Sequence, residues 1–341
     1  MKFIRQLPSI DELLVDYSLS DILKQAKKRR IAEVQSILKG TDNRKIVLVG
    51  PCSADREDAV VDYTVRLAKL SEEVNSKLLI LPRVYTSKPR TTSTGYKGML
   101  HRPNAASNTD NILEGIKATR KMHLHVIESS GLFCVDEMLY PESIYYYLDL
   151  LVYVAVGARS VEDQHHRLTA SGLELPVGMK NPTNGDMNVL LNSIEAAQHK
   201  QTLIYRGWEV ETEGNPFAHA ILRGYSGIDN ITHPNYHYED LCRFHDIYHK
   251  RNLLNPSVII DCNHANSSKH ADEQIRIAKE VTYLCRHYPA INKFVKGFMI
   301  ESYLVDGCQL VGGGIYGKSI TDPCIGWDKT EYLIKYIADK I

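Results

Sequence analysis

Cys52, His264, Glu301 and Asp322 are four potential metal ligands scattered along the chain. A thiolate, an imidazole and two carboxylates make a borderline donor set. It is too soft for Mg²⁺ or Ca²⁺ and too oxygen-rich for a structural zinc knuckle, so Mn²⁺, Fe²⁺, Co²⁺ or Zn²⁺ would suit it. Such an ion polarises a carbonyl oxygen. A second chemical signal lies in residues 83–97, RVYTSKPRTTSTGYK, which carry Arg83, Lys88, Arg90 and Lys97 and no acid. The acid-free run extends from Val74 to Thr109, although the whole chain balances 41 acidic against 41 basic residues. Positive charge gathered without acids nearby in sequence predicts a bound anion. Arginine's planar fork fits carboxylate and phosphate oxygens, lysine adds a point charge, and the hydroxyls of Thr91, Thr92 and Ser93 supply neutral donors for a second phosphate.

Something must bring these residues together. Short apolar runs at Ile46–Val49, Leu78–Leu81, Leu132–Val135, Val152–Val156, Val177–Met179, Leu203–Tyr205 or Ala220–Leu222, Val258–Ile260 and Phe298–Ile300 read as strands. Helical spacing lies between most of them, at Ala59–Val74, Ile112–Glu128, Ile144–Leu151, Leu190–Ala197, Tyr238–Lys250 and Ala271–Cys285, and closes the chain at Thr330–Ala338. Near-continuously apolar strands followed by helices argue for a parallel sheet buried on both faces. Eight βα units fit a (β/α)8 TIM barrel of class α/β, here expected over residues 45–341. Residues 1–44 read as an N-terminal helical extension stopped at Gly40, and residues 202–222 as a β-hairpin inserted in the sixth βα unit.

In such a barrel the chemistry sits at the C-terminal ends of the strands. Those ends read Cys52, Arg83, Glu137, Gly157-Ala158-Arg159, Lys180-Asn181, Arg223, Asp261-Cys262-Asn263-His264 and Glu301, with Asp322 in the loop after strand eight. Taken singly, a strand-end arginine is usually a solvated charge and a lone cysteine a small buried hydrophobe. Taken together, Arg83, Lys97, Arg159, Lys180 and Arg223 on one rim would repel one another unless a polyanion sat between them. Their number suggests two anionic ligands, or one with two anionic groups.

The composition excludes other classes. Zero formal net charge opposes a general grip on nucleic acid or anionic membrane. No apolar run approaches the ~18–20 residues of a membrane span. The N-terminus lacks a signal-peptide core, so a cytoplasmic protein is expected. Seven scattered cysteines without a CxxC pair oppose a disulfide framework. Gly312–Ser319, GGGIYGKS, matches the P-loop pattern, but Pro323 and Gly326 follow where a phosphate-facing helix should run. It reads instead as a glycine-rich loop that returns Asp322 to the barrel mouth.

The segments Gly50-Pro-Cys-Ser53, Lys88-Pro-Arg-Thr-Thr92, Gly157-Ala-Arg159, Pro176-Val-Gly-Met-Lys-Asn181, Ile221-Leu-Arg-Gly224, His264-Ala-Asn-Ser-Ser-Lys269 and Gly317-Lys-Ser-Ile-Thr-Asp322 together resemble the class I, metal-dependent 3-deoxy-D-arabino-heptulosonate 7-phosphate (DAHP) synthases. The resemblance runs in order from about Ile46 to the end. It implies condensation of phosphoenolpyruvate with erythrose 4-phosphate, the first step toward chorismate and the aromatic amino acids. It assigns the phosphoenolpyruvate phosphate to Arg159, Lys180 and Arg223, with Ala158 beside them, and the carboxylate to Arg83 with Lys180. Glu137 would orient this cluster or a water. Arg90 and Thr91 would hold the aldose phosphate, Lys88 would assist proton transfer at the aldehyde, and Lys97 would flank the site. Cys52, His264, Glu301 and Asp322 would hold one divalent ion. Added N-terminal segments and hairpins often serve subunit contacts, so a homo-oligomer, dimer or tetramer, is expected, and the resemblance implies an aromatic amino acid inhibitor bound between the N-terminal segment and the hairpin. The hairpin sequence, Leu203-Ile-Tyr-Arg-Gly-Trp208-Glu, differs from the phenylalanine- and tyrosine-sensitive pattern, which leaves the effector's identity open. A Cys52–Cys324 disulfide on oxidation is a further expectation. The alternatives are 3-deoxy-D-manno-octulosonate 8-phosphate synthase, in which the Lys-Pro-Arg-Thr-Thr motif is usually replaced, a nucleotide switch, and a catalytically inactive amino-acid sensor.

Overall fold

The computed structural model describes residues 1–90, 94–227 and 231–341. Eight strands are wholly buried or nearly so: β1 (Lys45–Gly50), β2 (Leu78–Pro82), β3 (Cys134–Glu137), β4 (Leu151–Val156), β5 (Val177–Lys180), β6 (Ala218–Leu222), β7 (Val258–Asp261) and β8 (Val295–Glu301). All pair in parallel in the order β2-β1-β8-β7-β6-β5-β4-β3, and a parallel bridge between Arg83 and Val135 closes β2 onto β3. Closure leaves no sheet edge exposed, so strands apolar on both faces are satisfied between side-chain-filled interior and surrounding helices.

The strand expectations hold with two shifts. The third strand runs two residues later than its apolar run suggested, which makes Glu137 its last residue. The barrel's sixth strand is Ala218–Leu222, the second of the two candidates. The first candidate belongs to the antiparallel hairpin Thr202–Tyr205/Trp208–Glu211, which precedes β6 rather than spanning 202–222. Its two-residue turn, Arg206-Gly207, has φ of 55° and 79°, the pair of positive values that a twisted hairpin requires.

The expected helix Ile144–Leu151 does not form. A single turn at Pro141–Ile144 and a 3₁₀ turn at Leu148–Leu150 lead straight into β4. Pairing of Leu151 with Cys134 outweighs the local helical spacing there. The N-terminal helix is broken into Ile10–Leu14, capped by Ser9, and Asp21–Lys39, capped by Ser20 and ended by left-handed Gly40. Val34, Ile37 and Leu38 of the longer helix are buried in the main core. At ~1.5–3 kcal/mol for each fully buried aliphatic side chain, these three anchor the helix to the barrel. No described helix is long and apolar enough to cross a membrane.

Candidate active site at the barrel mouth

Register sets the site. Gly50 pairs with Glu301 and Val49 with Pro82, so the turn after β1 begins level with the last residue of β8 and the end of β2. A Cβ on Gly50 would stand 2.2 Å from the Arg83 carbonyl oxygen, and only glycine permits that approach. Arg83 then donates to Pro51 O (3.1 Å) and pairs with Glu301 Oε1 (2.8 Å), both side chains fully buried, while its guanidinium lies 3.9 Å from the centre of the Tyr85 ring. Lys88 Nζ reaches Cys52 Sγ at 2.8 Å.

After β8 the chain leaves the mouth and is stitched back. Bridges join Ser302 to Ile325 and Gly307 to Cys324, and Ser53 Oγ meets Thr321 Oγ1 at 2.9 Å. This return brings Asp322 to Cys52 and Glu301, and ligand atoms of the three lie within 4.8 Å of one another. His264 stands beside this trio, its Nε2 3.8 Å from Glu301 Oε1. His264 adopts φ 57°, and its loop is tied to the end of β6 by Ala265 and Asn266 N–H groups on Arg223 O.

Asp261 is the residue that motif reading missed. Its Oδ2 lies 2.9 Å from His264 Nδ1 and 3.3 Å from Lys180 Nζ. A ring nitrogen held by a carboxylate leaves the other free to ligate, the usual arrangement around metal-binding histidines. The available signal was an acid at a strand end three residues before a histidine. Asn263, which donates to Glu301 Oε2, and Gln274, which donates to the Glu301 carbonyl oxygen and accepts from its N–H, complete the support.

The electrostatics follow from burial opposed by charge. Burial alone would raise the Glu301 carboxyl, but Arg83, His264 and Lys88 draw it down to about 2. Asp261 is likewise held well below the carboxylate range by His264 and Lys180 against its burial. The Cys52 thiol is pushed up by burial and by Glu301, partly offset by Lys88. Burial and neighbouring Arg159 lower Arg223, with Asp261 opposing.

Most expected residues converge: Cys52, Arg83, Lys88, Lys180, Arg223, His264, Glu301 and Asp322 surround one mouth, with Arg159 exposed beside Arg223 and Ala158 half-buried. Glu137 is buried, and a Cβ on Gly157 would stand 2.2 Å from its Oε1, so the glycine opening the Gly157-Ala-Arg159 turn accommodates it. Arg90 is exposed and donates to Tyr96 O at 2.9 Å. Thr91 lies outside the described residues, as do Thr92 and Ser93.

Lys97 is a correction to the shared rim of cations: it faces Asp110 at 2.6 Å, and Arg102 shares that carboxylate at 2.7 Å. The acid-free stretch is therefore compensated in space. Glu301 pairs with Arg83, and Asp110, the first acid after the run, pairs with Lys97. The P-loop reading fails as expected, because Lys318–Ser319 is a short strand and the next helix begins at Trp327.

The donor set fits a transition ion. Cys52, Glu301 and Asp322 converge with His264 adjacent, and the buried Glu301 Oε1 has charged neighbours but no hydrogen bond.

A (β/α)8 barrel that collects cations and soft and hard metal ligands at its C-terminal rim belongs to the class of barrel enzymes that handle small anionic substrates. Residues 23–335 match the DAHP synthetase I family, and the chain belongs to that family. It is 39% identical over 316 residues to the Phe-sensitive phospho-2-dehydro-3-deoxyheptonate aldolase of Escherichia coli K12, covering 90% of this chain and 87% of that one. It is 37% identical to the Haemophilus influenzae phospho-2-dehydro-3-deoxyheptonate aldolase, covering 98% and 91%. Among solved structures, the Francisella tularensis SCHU S4 phospho-2-dehydro-3-deoxyheptonate aldolase superposes with a TM-score of 0.92 at 31% identity, over 100% of this chain and 98% of that one.

Proposed function

We infer that the protein condenses phosphoenolpyruvate with D-erythrose 4-phosphate and water to give DAHP and inorganic phosphate, the first step of the shikimate pathway. Membership of the family over nearly the whole chain supports the reaction. The observation that carries the site is the meeting of Cys52, Glu301 and Asp322 beside Lys88.

Lys180, Arg223 and Arg159 bind the phosphoenolpyruvate phosphate, and Arg83 with Lys180 its carboxylate. Arg90 and Thr91 bind the phosphate of the aldose. Fixing two mutually repelling anions is where these cations contribute most. Cys52, His264, Glu301 and Asp322 would hold a divalent transition ion, which when bound would supply Lewis acidity toward the aldehyde oxygen. C3 of phosphoenolpyruvate adds to the aldehyde carbon, and Lys88 delivers a proton to the oxygen that becomes a hydroxyl. Water adds at C2, loses a proton, and the hemiketal phosphate expels inorganic phosphate to leave the ketone. Glu137 orients Arg159 or that water.

Exposed Ile204 (79%) and Trp208 (74%) on the hairpin, with Phe3 and Ile4 near the N-terminus, support a homo-oligomer joined through these segments. The Phe-sensitive and Trp-sensitive names of relatives support feedback by an aromatic amino acid. Its site would adjoin the hairpin, whose Arg206 stacks 4.4 Å from the centre of the Tyr145 ring, and the N-terminal helix, whose Lys27 donates to Leu148 O.

The test is phosphate release from phosphoenolpyruvate with erythrose 4-phosphate and Mn²⁺. Release that requires both substrates and stops on chelation supports the assignment, and Cys52→Ala should bind no Mn²⁺ and turn over nothing while keeping its melting transition. A fully active Cys52→Ala protein would remove the metal assignment.

A further inference from the structure

A cavity of about 490 Å³ lies between the segment after β1, residues 99–106 and the glycine-rich turn 312–318. None of the residues given to the catalytic site lines it. Its wall contains the GGGIYGK stretch that the catalytic function leaves unused. That stretch is a built wall: the Gln309 side chain donates to Ile315 O and Lys318 O and accepts from Ile315 N, all within 3.0 Å. Gly312 and Gly314 take φ of 85° and 78°, values that close such a turn most easily without side chains.

Three polar groups of this wall have no partner among the described residues. Asp55 Oδ1 and the Tyr303 hydroxyl are buried without a hydrogen bond, and Tyr303 is only 1% exposed. Lys318 makes no ion pair among the described residues. The neighbouring Arg56 is already committed to Asp58 at 2.7 Å. Buried polar atoms left unbonded cost roughly 1–3 kcal/mol each, so a cavity lined by them is suited to a ligand that bonds them. Burial pushes the Asp55 carboxyl up to about 6, and an adjacent ammonium group would draw it back down. Of the other polar lining residues, Glu57 faces Lys121 and His125 and the Asn104 side chain accepts from Ala106 N–H, while Met99, Pro103, Ala118 and Ile320 supply an apolar face. With Arg56 and Glu57 already paired, one uncommitted acid, one uncommitted base and an apolar face are the complement of a small zwitterion, and the volume lies in the range of small-molecule pockets.

We propose that this cavity is a second ligand site that takes a free α-amino acid, its ammonium group on Asp55 and the Tyr303 hydroxyl, its carboxylate on Lys318, and its side chain against Met99, Pro103 and Ile320. The site is distinct from the hairpin. It is three residues from Cys52 through Asp55 and two from Asp322 through Ile320, so occupancy has a short covalent route to the metal ligands.

Calorimetric titration of the full chain with L-phenylalanine, L-leucine and glycine tests this without reference to catalysis. At least one of the two apolar amino acids should bind. Its N-acetyl and amide derivatives, which lack the ammonium and the carboxylate respectively, should bind at least ~10-fold more weakly, as ~1.4 kcal/mol of lost pairing implies. Asp55→Asn and Lys318→Met, each made in a Trp208→Ala chain so that binding at the hairpin does not contribute, should weaken the parent amino acid by a similar factor. Should Asp55→Asn fail to fold, Lys318→Met decides alone, since it truncates a half-buried loop side chain. Absence of binding by every amino acid, leaving a water-filled cavity, would overturn the proposal. So would affinity that survives the cavity variants, or that disappears only with Trp208→Ala.

Discussion

Cys52 and Asp261 show how a residue's chemistry depends on its neighbours. Cys52 alone is a buried small hydrophobe; with Lys88 at 2.8 Å and two carboxylates close by it is placed to serve as the metal ligand proposed above. Asp261 touches no substrate in this account. It fixes His264 through Nδ1 and balances Lys180, so Asp261→Asn keeps the shape but lowers the ligand's basicity. Mn²⁺ affinity should fall by ~10–100-fold, as for other carboxylates behind ligating histidines, and excess Mn²⁺ should restore part of the activity. Equilibrium dialysis of the variant measures it, and unchanged affinity would release Asp261 from this role. Of the proposed ligands, Cys52, His264 and Asp322 were legible in sequence because each belongs to a recognisable short motif, and Glu301 because it ends an apolar strand. Asp261 was not, because its role depends on the left-handed turn at His264, which local composition does not specify. The partner of Lys97 was equally hidden: an acid-free window describes only sequence neighbours, whereas Asp110 folds back onto it.

At the scale of elements, the strands were legible where burial on both faces made them uniformly apolar. The misread segment was Ile144–Leu151, where a few residues have apolar spacing compatible with either period and the closing β3–β4 ladder decides. Helix Ile112–Ser130 supports the segment around Leu100, next to the loop proposed to bind the aldose phosphate, rather than merely covering the barrel. A Cβ on its Gly115 would stand 1.7 Å from the Leu100 carbonyl oxygen, and Leu100 N–H bonds Thr86 O just before Lys88. Gly115→Ala must therefore push the 95–102 segment away from the mouth. An overpacking cost of ~1–3 kcal/mol is expected in denaturant melts. Steady-state kinetics should show KM for the aldose phosphate rising by ~10–100-fold, with KM for phosphoenolpyruvate nearly unchanged, because the displaced segment adjoins Lys88 and Arg90 and leaves the Arg223–Lys180 side intact. Equal rises in both constants would contradict this division of labour.

The molecule as a whole has one hydrophobic core that also admits polar groups. His219, fully buried in β6, holds Tyr153 OH at 2.8 Å and Phe217 O at 2.8 Å, and burial lowers it to about 4. A histidine whose folded value lies below its unfolded 6.5 adds stability above pH 6.5 that disappears as pH falls toward 4. Between pH 7.5 and 5 this group should account for about 2 kcal/mol of lost stability. His219→Gln should flatten the pH dependence of the urea midpoint by that amount, whatever it does to stability at pH 7.5; an unchanged slope would assign acid sensitivity elsewhere. The largest claim concerns the mouth itself, where distant loops assemble one site for two anions. The most direct measurement is a competition: the protein with Mn²⁺, phosphoenolpyruvate and equal amounts of erythrose 4-phosphate and arabinose 5-phosphate, the products weighed by mass spectrometry. The seven-carbon keto acid phosphate should form almost alone, with one inorganic phosphate released for each. Predominance of the eight-carbon product, or no product from either sugar, would contradict the account.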